Sequence, residues 1–142
     1  MRVVLDTNVF FSGFRSNIKS NGPPKIVLDM AVARRFTLVL SEDILLEMED
    51  VLKRKLDWSP SFIASTLRRL SALAEMVSPD FELTDCADPD DNRILEAAVE
   101  GRADCIVSGD KHLLRMKKFR GIEILTVSDF LLRLGEAKRQ VR

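Results

Sequence analysis

A chain of 142 residues has the length of one domain, and one domain without a linker is expected, burying roughly two thirds of the surface its unfolded form exposes. Its 22 basic and 22 acidic residues cancel, which excludes the global positive field that by itself marks a nucleic-acid binder; any polyanion must be held locally. No apolar run approaches the roughly 20 residues of a membrane span, the opening through Arg2 is unlike a signal segment, and Cys86 and Cys105 lack metal-ligand spacing, so a reduced cytoplasmic protein is expected.

The first predicted strand is "RVVL", 2 to 5. It runs into Asp6, with Thr7 and Asn8 behind it, between two of the most apolar stretches of the chain, where an unpaired carboxylate is unfavourable. The loop-like "SNIKSNGPP", 16 to 24, leads into the helical pattern "KIVLDMAVARR". A strand over 36 to 40 precedes Ser41, which caps the predicted helix "EDILLEMEDVL"; Ser59 with Pro60 opens the next. That helical tract carries Phe62, Ile63, Leu67, Leu70 and Leu73, a face that either packs on the core or forms a dimer contact. The short run "EMV" follows. Asp88 with Pro89 then starts the helix through "RILEAAVEG", a strand covers 104 to 107, another 122 to 127, and Ser128 is the expected start of "DFLLRL". Apolar strands alternating with helices predict an α/β fold, a central mostly parallel sheet of about five strands flanked by helices.

In such a sheet, ligands bind beyond the carboxyl ends of the strands where strand order reverses. Asp6 ends the first strand, and Asp110 follows "CIVSG", so both reach one edge if those strands are neighbours. At 100° per residue, Ile44, Leu45, Met48, Val51 and Leu52 form one stripe; Glu47 borders it on the Val51 side and Glu49, the competing choice, on the other. With Pro89 at the first helical position, Asp91 faces inward with Ile94, Leu95 and Ala98, while Asp90 sits at the margin and can trade with it. Asp6, Glu47, Asp91 and Asp110 can thus converge. Each acid alone has an ordinary explanation, a cap or a solvated charge. Together they repel, and a fold tolerates them chiefly when a divalent cation neutralises the site. Oxygen donors without a well-placed His or Cys suit Mg²⁺ or Mn²⁺ over Zn²⁺; His112 has no partner histidine.

The segments "LDTNVF", "SEDILLEMEDVLKRK", "DPDDNRILEAAVEGRADCIVSGDKHLL" and "ILTVSDFL", in that order over nearly the whole chain, resemble the PIN-domain ribonucleases, and most closely the VapC-type toxins of prokaryotic toxin and antitoxin pairs. The resemblance implies a single PIN-like domain over 1 to 142, metal ligands at Asp6, Glu47, Asp91 and Asp110, and accessory roles for Asn8 and Ser108. It also implies an RNA substrate, a homodimer and a cognate antitoxin. Arg15, Lys19 and Lys25 around the early loop, and Lys111, Arg115, Lys117, Lys118 and Arg120 after Asp110, are candidates to hold RNA phosphates, against a background of ordinary solvated surface. Two other classes compete for the same residues. A non-cleaving PIN-like RNA-binding scaffold is weakened by the presence of all four acids. A phosphoacceptor signalling domain needs a paired-acid opening, and "LDTN" supplies one acid.

Overall fold

The computed structural model describes residues 1–15 and 22–140, with side chains through Gly135. In chain order the elements are β1 (Arg2–Leu5), α1 (Thr7–Arg15), α2 (Pro23–Val32), β2 (Thr37–Ser41), α3 (Glu42–Leu56), α4 (Pro60–Leu73), β3 (Glu75–Val77), α5 (Pro89–Glu100), β4 (Cys105–Val107), α6 (Lys111–Met116), β5 (Lys118–Phe119), β6 (Ile122–Leu125) and α7 (Val127–Gln140). The sheet order is β3-β2-β1-β4-β6-β5, parallel except for β5. Strand order reverses between β1 and β4, so the switch point lies where Asp6 and Ser108 emerge.

Val3, Val4, Leu5, Leu38, Val39, Leu40, Ile106 and Val107 are buried, as strands covered on both faces require. They join Phe10, Ile44, Met48, Leu52, Ile94, Leu95 and Phe130 in one apolar cluster. The sheet has six strands where about five were expected from the alternation. The short β5 pairs antiparallel with β6 through a tight turn at Arg120 (φ 50°) and Gly121 (φ 82°), the double positive-φ geometry of a two-residue hairpin.

Helix starts follow their caps. Ser41 accepts from the Ile44 amide at 3.3 Å, Ser59 from Phe62 at 3.3 Å and Asp88 from Asp90 at 2.9 Å, each satisfying an amide that the first turn leaves unpaired. The last helix corrects the expectation for Ser128. Thr126, at the end of β6, has its hydroxyl 3.1 Å from the Asp129 amide, so the cap falls two residues earlier and Ser128 lies exposed inside the first turn. α1 has no counterpart among the predicted elements. It packs closely on α2 at Gly13, where a Cβ would collide with Leu28, so the residue that reads as a helix breaker is what lets the two helices meet.

Asn92 and Glu96, one turn apart on α5, tie down the segment before it. Asn92 bonds both backbone groups of Cys86 at 2.8 and 2.9 Å, and Glu96 accepts from the Leu83 amide at 2.8 Å while pairing with Arg93. This anchoring fixes where Asp88 and the start of α5 sit. Cys86 is half-buried and Cys105 buried, both unbridged. Among the described residues no helix is long and apolar enough to cross a membrane.

Candidate metal centre

β1 and β4 run side by side with Leu5 opposite Val107, and the Asp6 amide donates to the Val107 carbonyl at 2.9 Å. Both chains therefore leave the sheet at one level. Asp6, only 6% exposed, accepts from the Ser108 hydroxyl at 2.7 Å and from the Asn8 side-chain amide at 3.2 Å. Asn8 in turn accepts from the Gly109 amide at 3.2 Å, and Ser108 from the Asp110 amide at 2.9 Å. These bonds lace the two strand ends together and fix the Asp6 carboxylate in orientation.

Asp110 caps α6 by accepting from the His112 amide at 3.0 Å through one oxygen. Its cap role and its place at the site coexist. Asp91, in the first turn of α5 and 6% exposed, completes a group with Asp6 and Asp110 whose carboxylate oxygens all lie within 4.8 Å of one another. Glu47 enters from α3 and accepts from the Thr7 hydroxyl at 3.1 Å. All four acids line a cavity of about 190 Å³, joined at its rim by Asp88 and Asp90.

The two open choices separate in space. Glu47 faces this cavity, whereas Glu49 is exposed and borders a different depression with Lys53, Pro60 and Ile63. Asp91 belongs to the close oxygen group, and exposed Asp90 only to the rim. Asn8 and Ser108 touch Asp6. The basic candidates scatter: Lys111 is exposed beside Asp110, Arg15 ends α1, and Lys117 and Lys118 lie at the amino edge of the sheet, because α6 runs back across it and Lys118 pairs with Glu123, level with Cys105. Lys19 lies outside the described residues. Sequence reasoning passed over Thr7 and Lys55; the signal for Lys55 is its place two helical turns beyond Glu47, past Val51, on the same face.

The electrostatics are those of a crowded acidic pocket. Burial raises the Asp6 carboxyl, with Asp110 adding to the effect and the bonds from Ser108 and the Thr7 and Asn8 amides opposing it. Burial, then Asp90, Asp6 and Asp88, push Glu47 up to about 7 against the Thr7 hydrogen bond. Asp91 is pushed up to about 7 by burial and then by Asp110 and Asp88. Mutually destabilised carboxylates with no cation or imidazole in the close group are the donor set of a hard divalent ion, so the residues fit Mg²⁺ or Mn²⁺.

An acid whose folded-state pKa lies above its unfolded value favours the fold below the unfolded pKa and loses that contribution as pH rises through the folded one. For Asp91 and Glu47 the window runs from the ordinary 3.8 and 4.5 up to about 7. At neutral pH and without metal, Asp91→Asn is expected to melt higher than wild type, with the gap closing as pH falls toward the carboxylate range. Mn²⁺ should raise the melting temperature of wild type more than that of the variant. Melting curves at two pH values check this; a variant that is less stable without metal and equally responsive to it means that Asp91 serves the helix start alone.

A mostly parallel α/β sheet with a cluster of carboxylates at its switch point defines a protein with an acidic strand-end site of the kind that suits a hard cation. The chain belongs to the PIN domain family, whose profile matches residues 2–112 and whose proteins are generally nucleases. It is similar to the uncharacterised protein MJ1680 of Methanocaldococcus jannaschii, 31% identical over 121 residues, 82% of this chain and 76% of that one. Its fold is similar to the crystal structure of VapBC2 from Rickettsia felis bound to a DNA fragment from its promoter, with a TM-score of 0.58 and 16% identity over 89% of this chain and 98% of that chain.

Proposed function

We propose that residues 1 to 142 form one PIN-like domain that hydrolyses RNA phosphodiesters as an endoribonuclease dependent on Mg²⁺ or Mn²⁺, with Asp6, Glu47, Asp91 and Asp110 holding the cation. The observation that carries this reading is the convergence of three carboxylates, their oxygens within 4.8 Å, at the end of a parallel sheet. The chemistry such a cation supplies when bound is polarisation of the phosphodiester, activation of a water and stabilisation of the leaving oxygen. Asp6 is the rigid donor, oriented by Ser108 and Asn8. Asp110 keeps an oxygen free of its capping bond, and Glu47 closes the side toward α3 with Thr7 steadying it. No side chain acts as a covalent nucleophile. Substrate phosphates meet Lys111 and Arg15 first, the exposed members of the basic set nearest the strand ends, and Lys117 and Lys118 only where a long RNA crosses the sheet.

As to its role, we read the protein as the cytoplasmic toxin of a toxin and antitoxin pair, acting as a homodimer and held inactive by its antitoxin. The resemblance to VapC-type toxins supports this, and so does the fold shared with VapBC2. An apolar groove of about 410 Å³ between α1, α2 and α4, lined by Phe14, Trp58, half-exposed Phe62 and exposed Val32, is the kind of surface that protein contacts cover.

RNA incubated with metal-free protein should stay intact until Mg²⁺ or Mn²⁺ is added, and EDTA should arrest cleavage. RNA bound but never cut with either ion would move the protein to the scaffold reading.

A further inference from the structure

Above the acids the cavity wall changes character. α1 and α3 pack side by side, and Thr7, Phe11 and Arg15 on one, with Glu47, Val51 and Lys55 on the other, recur every four residues, so each row climbs about 6 Å per step. At the base the Thr7 hydroxyl meets Glu47 at 3.1 Å. One turn up, Phe11 and Val51 line the cavity together with Lys55. At the top, the Lys55 ammonium lies 5.4 Å from the centroid of the Phe11 ring and the Arg15 guanidinium carbon 5.8 Å from it. Both rows rise in the same sense, from polar through apolar to cationic.

The cavity itself, about 190 Å³, is smaller than the roughly 300–1,000 Å³ of pockets that enclose whole small molecules. It has room for a phosphate and its counter-ion, and the base attached to that phosphate must lie outside, against the wall. The wall there is Phe11, a partly exposed aromatic ring attended by two cations. Among the described residues neither Lys55 nor Arg15 has a carboxylate partner, although six acids line the cavity that Lys55 also borders. An apolar ring held at the mouth of an acidic pocket contributes nothing to cation binding; a π-face beside an unpaired ammonium matches one unstacked nucleotide, base and phosphate together.

We propose that Phe11 is the stacking platform for the nucleotide next to the scissile phosphate, and that Lys55 positions the backbone phosphate of that nucleotide. This rests on the nuclease reading and adds a requirement to it. A base within a duplex has both faces covered, so the strand must be unpaired at this position, and Phe11 reads the π-face without regard to base identity.

The test uses a short fluorescein-labelled oligoribonucleotide of mixed sequence, single-stranded and as a duplex. Binding is followed with Ca²⁺ in place of Mg²⁺, and cleavage with Mg²⁺ and with Mn²⁺. For the single strand, Phe11→Leu is expected to raise Kd and KM by about tenfold or more and Phe11→Trp to restore them, since stacking depends on the ring and not on its volume. Lys55→Gln should weaken binding and flatten its log-log salt dependence by up to about one unit. The wild-type duplex should bind more weakly and be indifferent to Phe11→Leu. Cleavage and binding of the single strand by Phe11→Leu at wild-type levels would overturn the platform and leave the nuclease reading standing. A loss that Phe11→Trp does not restore, or an equal loss on the duplex, would overturn it too. Ring-dependent binding by a wild type that never cleaves would support the platform and sink the nuclease reading instead.

Discussion

Asp6→Asn and Asp110→Asn are each expected to abolish metal-dependent RNA cleavage while leaving the fold intact. Asp6 is the most constrained acid of the site, 6% exposed and fixed by Ser108 at 2.7 Å and Asn8 at 3.2 Å. Asparagine keeps its shape and its remaining oxygen can still accept from Ser108, but it replaces the other carboxylate oxygen with an NH₂ group that cannot ligate and removes the negative charge that holds a hard cation. The loss should exceed the roughly 10–100-fold that removal of an orienting partner costs, which is itself the expectation for Ser108→Ala. Asp110→Asn can keep the cap on His112, so its loss of activity would separate ligation from helix capping at that residue. Cleavage rates with matched melting curves check both variants. Wild-type rates in either would remove that residue from the site.

Glu47→Gln is expected to lower activity by more than the roughly 10–100-fold that loss of an orienting partner costs, and Glu49→Gln to leave it unchanged. The two glutamates differ by two positions and 200° around one helix, so only one can face the acids. Glu47 does so, with Thr7 as its donor, and Glu49 points toward α4. Glutamine preserves the Thr7 hydrogen bond and removes the charge, which makes the pair a test of charge at fixed packing. The reverse ranking would mean that α3 turns its other face to the substrate.

Features governed by local chemistry were legible in the sequence. Apolar runs marked β1, β2, β4 and β6, and Ser41, Ser59 and Asp88 announced their helices because a cap needs only the three or four residues after it. The placement of Asp6 and Asp110 at one edge needed one assumption, that their strands are neighbours, and the sheet order supplies it. What escaped depended on contacts distant in the chain. α1 was hidden because Gly13 is explained only by Leu28 of α2 lying against it. The pair of residues in β5 cannot declare itself as a strand without β6 opposite, and Thr126 outcompetes Ser128 as a cap only because β6 ends at Leu125. Helical geometry narrowed Glu47 against Glu49 and Asp91 against Asp90; the cavity between α1, α3 and α5 takes in Glu47 and not Glu49, and it is Asp91, not Asp90, whose oxygen lies close to those of Asp6 and Asp110. Cations fared worst. A run such as that from Lys111 to Arg120 carries no sign of direction, and α6 takes its far end to the other edge of the sheet.

Whether these carboxylates serve a cation that acts on RNA is read from RNA integrity with metal-free protein before and after addition of Mg²⁺ or Mn²⁺, with wild type and Asp6→Asn purified side by side. The expected result is that wild type is silent until the ion is added, cleaves internally afterwards and stops with EDTA, and that Asp6→Asn stays silent throughout. Cleavage that persists in EDTA, or that is equal in the two proteins, would contradict it.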